Sequence, residues 1–389
     1  MTEATAAVLL QSIVGPSSRC VREMMDYFGS ALAVFEAGDN ERRLSGIFSQ
    51  TAIGRFAAPD LASAEKTVSQ CQREEIKILP YSSDEYPKRL RSIDSPPLVL
   101  FVKGELGEVD ERVCIGMVGT RKPSDYGREC AVRLSGDLAA EGAVIVSGGA
   151  LGIDAAAHSG ALMRSGKTLC VLGCGISYPY LPANANLRES VSKNGALVSE
   201  YPPSAPPLRY TFSARNRIIA GLSLGTVVVE AGEGSGALIT ASHAKKQNRD
   251  LFCVTGGMLS SGFAGSNKLL ASGQAMPVFC AEDILKHYRA DYTLTPPSPT
   301  QDMKSDDRPA SDGVGLSKKF EQETFVLPEP GVQLSEVASR LYSAFKAAEE
   351  HKEKIIARSG LSTREALSAL TELEIKGVVT AVSGGRLRI

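Results

Sequence analysis

The stretch Gly142–His158, GAVIVSGGALGIDAAAH, says most about the fold of this chain. A short run of β-branched residues ends in a cluster of glycines, and a helical pattern follows directly. This order predicts a strand, a tight turn and a helix. Gly148, Gly149 and Gly152 allow a sharp turn without a Cβ clash, so that successive N–H groups and the positive helix end can face one anion. We therefore expect a ligand that carries phosphate.

The same strand–glycine–helix pattern recurs along the chain. Further apolar runs end just before Gly119, Gly173, Gly232 and Gly256. Short buried strands that alternate with helices predict a parallel sheet with helices on both faces and a ligand crevice at the carboxyl ends of the strands. Glycine is also the default turn residue, so each loop alone is equally compatible with a plain structural turn. The Gly148–Gly152 loop lacks the dinucleotide spacing and no P-loop motif occurs, which argues against a conventional NAD enzyme or ATPase.

The overall composition excludes several classes of protein. The chain has 389 residues, enough for two to four domains, and its formal net charge is only −1, so any DNA site must be a local patch. Its eight cysteines form no C-x-x-C pair, and with four histidines they show no zinc-site spacing. The amino terminus lacks a basic region and no apolar run approaches ~18 residues. We expect a cytoplasmic protein without metal, cofactor or membrane association.

The pattern along the chain predicts four regions. Residues 1–80 are expected to form a helical domain, 81–288 a Rossmann-like α/β domain, 289–332 a flexible acidic, Pro-rich linker, and 333–389 a winged-helix domain. The turn Val14–Ser18 joins the first two predicted helices. It is either half of a helix-hairpin-helix, whose N–H groups hold a DNA phosphate, or a plain turn between antiparallel helices.

The carboxyl-terminal region has the order helix, helix, helix, hairpin. Ser362 is a predicted N-cap, because Glu365 follows three residues later in a capping-box pattern. Winged helices bind either duplex DNA or proteins. Here Glu365, Glu372 and Glu374 on the predicted recognition helix argue against insertion into the major groove.

Basic and amide side chains lie close to the predicted glycine-rich edge. The candidate DNA-binding residues are Arg121, Lys122, Gly148, Gly149, Gly152, Phe212, Arg215, Asn216, Arg217, Gly236, Asn267 and Lys268. Arg215 and Arg217 stand at alternate positions before an apolar helix, where we expect surface cations that bind neighbouring phosphates. The competing interpretation is a structural ion pair with a glutamate, either Glu200, Glu230 or Glu233.

Aromatic residues are interleaved with these cations. They are Tyr126, Tyr178, Tyr180, Tyr210, Phe212 and Phe263. Single-strand binders combine a cationic track with flat stacking surfaces, and each stacked base contributes ~1–3 kcal/mol without sequence preference. Tyr180 and Phe212 are the best stacking candidates, with core packing as the alternative.

The sequence offers little that points to catalysis. His158 and His243 fit helix packing better than acid–base chemistry, and Ser147 has no evident His and Asp partners. Glu230, at a predicted strand end beside Gly232, is the one residue that keeps an enzyme interpretation open.

Several segments resemble the DNA-processing protein A family, DprA/Smf. They are residues 116–127 (GMVGTRKPSDYG), 147–162 (SGGALGIDAAAHSGAL), 199–207 (SEYPPSAPP), 212–223 (FSARNRIIAGLS) and 229–241 (VEAGEGSGALITA), with 84–104 resembling the usual lead-in. The resemblance runs in order over roughly residues 80–288. It departs from the family pattern at Leu151, where an arginine is usual, and at Thr255, where a proline is usual. We therefore expect either a weaker affinity or a larger share of the affinity from Arg121 and Arg215.

This resemblance implies a Rossmann-like domain flanked by an amino-terminal SAM or helix-hairpin-helix module and a carboxyl-terminal winged helix. It implies a non-enzymatic homodimer that binds single-stranded DNA during natural transformation, protects it from nucleases and loads the recombinase RecA in the presence of single-strand binding protein. The DNA-contacting positions of the family fall on Arg121, Phe212, Arg215, Asn216 and Arg217, and then on Asn267 and Lys268. Nucleotide phosphoribohydrolases of the same superfamily are the alternative, but their P-G-G-x-G-T-x-x-E motif is absent around Val229–Thr240.

Overall fold

The computed structural model describes residues 1–297, 334–345, 349–382 and 386–388. The chain folds as two compact units, Met1–Lys304 and Ser305–Ile389. The predicted linker lies largely outside the described residues, which stop at 297 and resume at 334.

Six helices form the amino-terminal part of the first unit. They are α1 (Glu3–Val14), α2 (Val21–Phe28), α3 (Ala31–Glu36), α4 (Asp39–Leu44), α5 (Gln50–Phe56) and α6 (Leu61–Arg73). The Thr2 hydroxyl caps α1 by accepting the Thr5 N–H at 3.2 Å. Leu10 and Met24 of these helices are fully buried in one cluster with Phe101 of the sheet. The helical part therefore packs directly on the α/β core.

A nine-stranded sheet lies at the centre of this unit. Its strands are β1 (Lys77–Pro80), β2 (Val99–Gly104), β3 (Cys114–Val118), β4 (Val144–Ser147), β5 (Thr168–Leu172), β6 (Ala196–Ser199), β7 (Gly225–Val228), β8 (Asp250–Val254) and β9 (Met276–Val278). The order is β1-β2-β6-β5-β4-β3-β7-β8-β9. The strands from β6 to β9 in this order are parallel, which confirms the predicted Rossmann-like core, whereas β1 and β2 add an antiparallel edge.

Helices cover both faces of the sheet. They are α7 (Lys88–Arg91), α8 (Asp125–Ala140), α9 (Ile153–Met163), α10 (Ala185–Asn194), α11 (Arg209–Leu222), α12 (Ala237–Lys246), α13 (Ala264–Ala271) and α14 (Glu282–Leu285). Side chains alternate between the faces with the two-residue period of a strand. Leu100 and Val102 join the cluster that contains α11 and α12, while Val99 and Phe101 join the cluster of the amino-terminal helices.

The chain reverses its direction across the sheet at β3. From β3 it passes through α8 to β4 on one side, and later places β7 on the other side of β3. Loops that leave such neighbouring strands diverge, and the gap between them is where open α/β sheets bind ligands. The glycine-rich loops after β3, β4, β5, β7 and β8 all lie at this carboxyl edge.

The second unit has its own small core. Its elements are α15 (Glu336–Tyr342), β10 (Glu349–His351), α16 (Lys352–Ser359), α17 (Thr363–Ile375), β11 (Thr380–Val382) and β12 (Arg386–Arg388). The strand order is β10-β12-β11, in agreement with the predicted winged helix but with one strand, β10, that the sequence did not suggest. The capping box of Ser362 and Glu365 is present, and the predicted turn at residues 383–385 lies outside the described residues.

Glu372 of α17 takes part in the packing of this unit. Glu372 accepts hydrogen bonds from the backbone N–H of Ser335, at 2.9 Å, and from its hydroxyl. A hydrogen bond from Lys376 and these bonds from Ser335 lower the pKa of Glu372 to about 2. These contacts fix α15 against α17, so the carboxylate has a structural role in the unit.

Candidate nucleic-acid interface

A cleft of about 780 Å³ opens at the carboxyl ends of β3 and β7. The loop after β3 forms one wall, α11 forms another, and residues 230–240 with Ser261 and Gly262 close the rest. This size falls within the roughly 300–1,000 Å³ of small-ligand sites. We call it the cationic cleft after the basic side chains that line it, which are Arg121, Lys122, Arg209 and Arg215.

A cation and an aromatic ring meet at its wall, and a second ring packs against the first. The guanidinium carbon of Arg121 lies 5.6 Å from the ring centre of Phe212, within the range of a cation–π interaction. The ring of Tyr180 packs against that of Phe212, with centroids 5.3 Å apart and the two planes tilted by 41°. Arg121 is exposed, while Phe212 and Tyr180 are half-buried. The two aromatic residues predicted to stack bases thus pack on each other beside an accessible cation.

Arg209 is a lining cation that the sequence interpretation missed. It is exposed, and it stands three residues before Phe212 in the first turn of α11. Residues three apart share a helix face, so both side chains line the cationic cleft. The missed signal was the start of the helix, since α11 begins at residue 209 and not after residue 217.

Arg215 forms the floor of the cleft and is not a surface cation. The residue is only 4% exposed, and its Nη1 donates hydrogen bonds to the carbonyls of Gly148, at 2.6 Å, and Val171. It still lines the cleft, and its Nε has no hydrogen-bond partner among the described residues. The expectation of a freely exposed Arg215 is therefore wrong.

Arg217 does not reach the cleft. Its Nη2 lies 2.6 Å from Glu200 Oε1, its Nε donates to the Ser95 carbonyl at 2.8 Å, and both charged side chains are almost fully buried. Residues two apart on a helix point in different directions, which separates Arg217 from Arg215. The ion pair with Glu200, the competing interpretation, replaces the expected phosphate contact.

The glycine-rich loop after β4 also has an internal role. The buried Asp154 carboxylate accepts hydrogen bonds from the backbone of Gly148 and of Ala150, the latter at 3.4 Å. Burial raises the pKa of Asp154, and Arg215 together with these N–H groups opposes that rise. The predicted anion-binding turn therefore holds a carboxylate of its own chain.

Close packing requires glycine at positions of this loop. A Cβ on Gly148 would lie 2.3 Å from the Arg215 guanidinium, and one on Gly152, where φ is +86°, would lie 2.4 Å from the Thr120 carbonyl. Gly149 is buried beside Cys170. None of the three lines the cleft, and the close packing accounts for these glycines without a ligand, so their contact with phosphate stays a prediction.

The other predicted residues divide into two groups. Asn216 and Gly236 line the cleft, and the Asn216 Nδ2 approaches the Gly236 carbonyl at 3.5 Å. Asn267 instead clamps Gly256, accepting from its N–H at 3.3 Å and donating to its carbonyl at 3.2 Å. Lys268 is exposed at 3.8 Å from Glu233. Asn267 and Lys268 therefore lie outside the cleft lining.

Glu230 holds the loop that carries Arg121. Its Oε2 accepts from the N–H and hydroxyl of Ser124, at 3.0 and 2.8 Å, and Ser124 in turn caps α8. The Glu230 carbonyl accepts the Thr120 N–H at 2.8 Å. The side chain is buried, so its contacts are those of a loop anchor at the edge of the cleft.

His158 lies in the core and forms part of no catalytic arrangement among the described residues. Its Nδ1 is 2.7 Å from the Thr168 hydroxyl, which donates its own proton to the Ile145 carbonyl. Nδ1 is therefore the donor in the first bond, and the ring is neutral with Nε2 unprotonated. Burial, reinforced by the nearby Arg215 charge, lowers the pKa of His158 to about 3.

This shift predicts a loss of stability in weak acid. In the unfolded chain the histidine binds a proton as the pH falls through 6.5, whereas in the folded protein it stays neutral until the pH nears 3. Its contribution to the free energy of unfolding is therefore complete above pH 6.5 and is lost as the pH drops toward 3. Between pH 6.5 and 5 the free energy of unfolding should fall by about 2 kcal/mol from this group. Urea unfolding of the native protein and H158Q at both pH values measures the difference. An equally steep pH dependence in H158Q would contradict the assignment.

Two kinds of feature are missing from the described residues. Within the described ranges, no helix combines the length and apolar character that a membrane crossing requires. Nor does this part of the chain bring together three or more His, Cys, Asp or Glu side chains that could hold a metal ion.

Comparison with known proteins decides the family. A family model described as DNA recombination-mediator protein A matches residues 77–289. The chain belongs to the DNA recombination-mediator protein A family. A second model, the DprA winged helix domain, matches residues 327–385.

Curated relatives agree over most of the chain. DNA processing protein DprA of Bacillus subtilis is 40% identical over 211 residues, which cover 54% of this chain and 71% of the relative. Protein Smf of Escherichia coli is 34% identical over 336 residues, which cover 86% of this chain and 83% of the relative.

Solved structures of DprA proteins share the fold. The X-ray structure of DprA from Streptococcus pneumoniae superposes with a TM-score of 0.64 at 31% identity, covering 76% of this chain and 99% of that one. DprA from Helicobacter pylori, whose structure concerns a single-stranded DNA binding mode, gives 0.51 at 30% identity, covering 56% and 98%.

Proposed function

We propose that this protein binds single-stranded DNA in the cationic cleft and acts as a recombination mediator. The contact of Arg121 with Phe212, whose ring also packs against Tyr180, carries the proposal, because it places an exposed cation beside an aromatic ring. A guanidinium pairs with phosphate oxygens, and an aromatic ring stacks with any base. The single-stranded DNA binding of the Helicobacter pylori relative supports the same ligand class here.

The residues of the cleft would have different roles in binding DNA. Arg121, Lys122 and Arg209 are exposed and would contact phosphates, while Phe212 would offer a surface for a base. Arg215 would add positive potential from the floor without leaving its bonds to the Gly148 loop. Asn216 and Gly236 line the same space and would supply polar contacts. Cations contact phosphates and a ring stacks with any base, so the binding would depend little on sequence.

The wider role follows the family. We infer that the protein protects incoming single strands and loads the RecA recombinase during natural transformation, as a cytoplasmic homodimer that works in the presence of single-strand binding protein. Membership in a recombination-mediator family supports this inference. The contacts of Glu230 with Ser124 support a loop anchor and give no support to the phosphoribohydrolase alternative.

Binding of matched single and double strands tests the proposal. Fluorescence anisotropy with a labelled oligonucleotide and its duplex, at one ionic strength, should give at least about tenfold tighter binding of the single strand. The logarithm of the binding constant should fall linearly with the logarithm of salt concentration, and the affinity should change little between mixed sequences. Equal or tighter binding of the duplex would refute single-strand specificity.

A further inference from the structure

Two apolar side chains stand out on the surface of the first unit. Met258 is 91% exposed and Leu259 is 94% exposed, which makes them the most exposed of the large apolar residues in the described part of the chain. They are neighbours in the loop between β8 and α13, at the carboxyl edge of the sheet. We call this pair the 258–259 tip.

The loop that presents the tip is held in place on both sides. The Tyr126 hydroxyl donates to the Thr255 carbonyl at 3.0 Å, and Asn267 binds both backbone groups of Gly256. A Cβ on Gly256 would lie 1.9 Å from the Phe263 ring, so that ring fixes the close approach of the chain. After the tip, Ser260 N–H donates to the Gly257 carbonyl at 3.0 Å. The contacts hold a turn whose outermost side chains are apolar.

The tip continues directly into the cationic cleft. Ser261 and Gly262, which follow the tip after Ser260, line that cleft. A Cβ on Gly262 would lie 2.6 Å from Glu230 Oε1, so this end of the loop is packed against the anchor of the Arg121 loop. A strand that leaves the cleft on this side would meet the 258–259 tip next.

We propose that Met258 and Leu259 form an apolar wedge that contacts the bases of single-stranded DNA as it leaves the cationic cleft. The inference rests on the proposed function. Leucine and methionine insert between base steps in other nucleic-acid complexes, and the flexible methionine side chain adapts to each base. The tip carries no charge, so its partner is the base and not the phosphate backbone.

The double variant M258S/L259S tests the wedge by anisotropy. Affinity for an oligothymidine strand should fall about fivefold, while the slope of log Kd against log salt stays unchanged because no phosphate contact is lost. Affinity for an abasic strand of the same length should be the same for native protein and variant. L44S, which removes another apolar side chain that is 85% exposed, is the matched control and should leave both affinities unchanged.

The possible outcomes separate the wedge from the proposed function. Unchanged oligothymidine binding by M258S/L259S, with binding lost in R121E, would overturn the wedge alone and leave the tip for a protein partner. An equal loss on the abasic strand would overturn it as well, because the contact would then be to the backbone. If R121E also binds as tightly as native protein, the cationic cleft is not the DNA site and the proposed function fails.

Discussion

Replacing Arg217 with glutamate is expected to unfold the protein. The Arg217 side chain and its partner Glu200 are 7% and 1% exposed, and the variant would put two carboxylates together in the core. Removing one partner of a buried ion pair costs about 3–5 kcal/mol, and charge reversal costs more. The total stability of a domain is about 5–15 kcal/mol, so most of it would be lost.

Urea unfolding followed by circular dichroism measures this effect. The matched control is R43E, a charge reversal at an exposed arginine of α4, which should change the free energy of unfolding by no more than about 0.5 kcal/mol. The double variant E200Q/R217Q, which leaves no unpaired charge, should recover part of the loss. A native unfolding midpoint in R217E would show that the ion pair does not hold the fold.

Glu200 explains why the damage would reach beyond one helix. Besides Arg217, its carboxylate accepts the Ser17 N–H at 2.8 Å and the Ser17 hydroxyl at 3.1 Å, while its backbone carbonyl accepts Gln11 Nε2 at 2.6 Å. The turn after α1, the end of β6 and the middle of α11 therefore meet at one buried carboxylate. Loss of these Glu200 contacts would release the amino-terminal helices from the sheet and would leave α11 without a fixed position.

The sequence predicted the parallel core because its signals are local. Each strand of the core is a short apolar run followed within a few residues by glycine and a helix, and those features lie next to one another in the chain. The antiparallel edge was not predicted because it lacks this local pattern: β2 leads into β3 without an intervening helix. Strand β1 pairs with β2, and β2 pairs with β6 almost a hundred residues later, in contacts that no local pattern encodes.

The candidate site was predicted less well, for a related reason. The sequence identified two places suited to an anion, the loop after β4 and the turn after α1, and the chain fills both of these, as well as the loop before α8, with its own carboxylates. Asp154 occupies the loop after β4, Glu200 occupies the turn after α1, and Glu230 occupies the loop before α8. Local sequence indicates the geometry of an anion site, but the residue that fills it can come from far along the chain.

The exposed cations at the cleft remain accessible to a ligand. Arg121 is therefore the residue whose substitution best tests DNA binding. R121E is expected to weaken single-strand binding by well over tenfold, since it would remove the proposed phosphate contact, add a repulsive charge and end the contact with Phe212. Arg121 is exposed, so the free energy of unfolding should change by no more than about 0.5 kcal/mol. Anisotropy across a salt series, together with urea unfolding, measures both quantities.

Two further variants identify the cause of the loss. R43E changes the net charge by the same amount as R121E but lies on α4, away from the cleft lining, so it should bind nearly as well as native protein. R121K keeps the charge and should keep the salt slope, yet it lacks the planar guanidinium that lies over Phe212 and should lose a smaller part of the affinity. Equal losses in R43E and R121E would mean that overall charge governs binding, and the cleft would then have no special role.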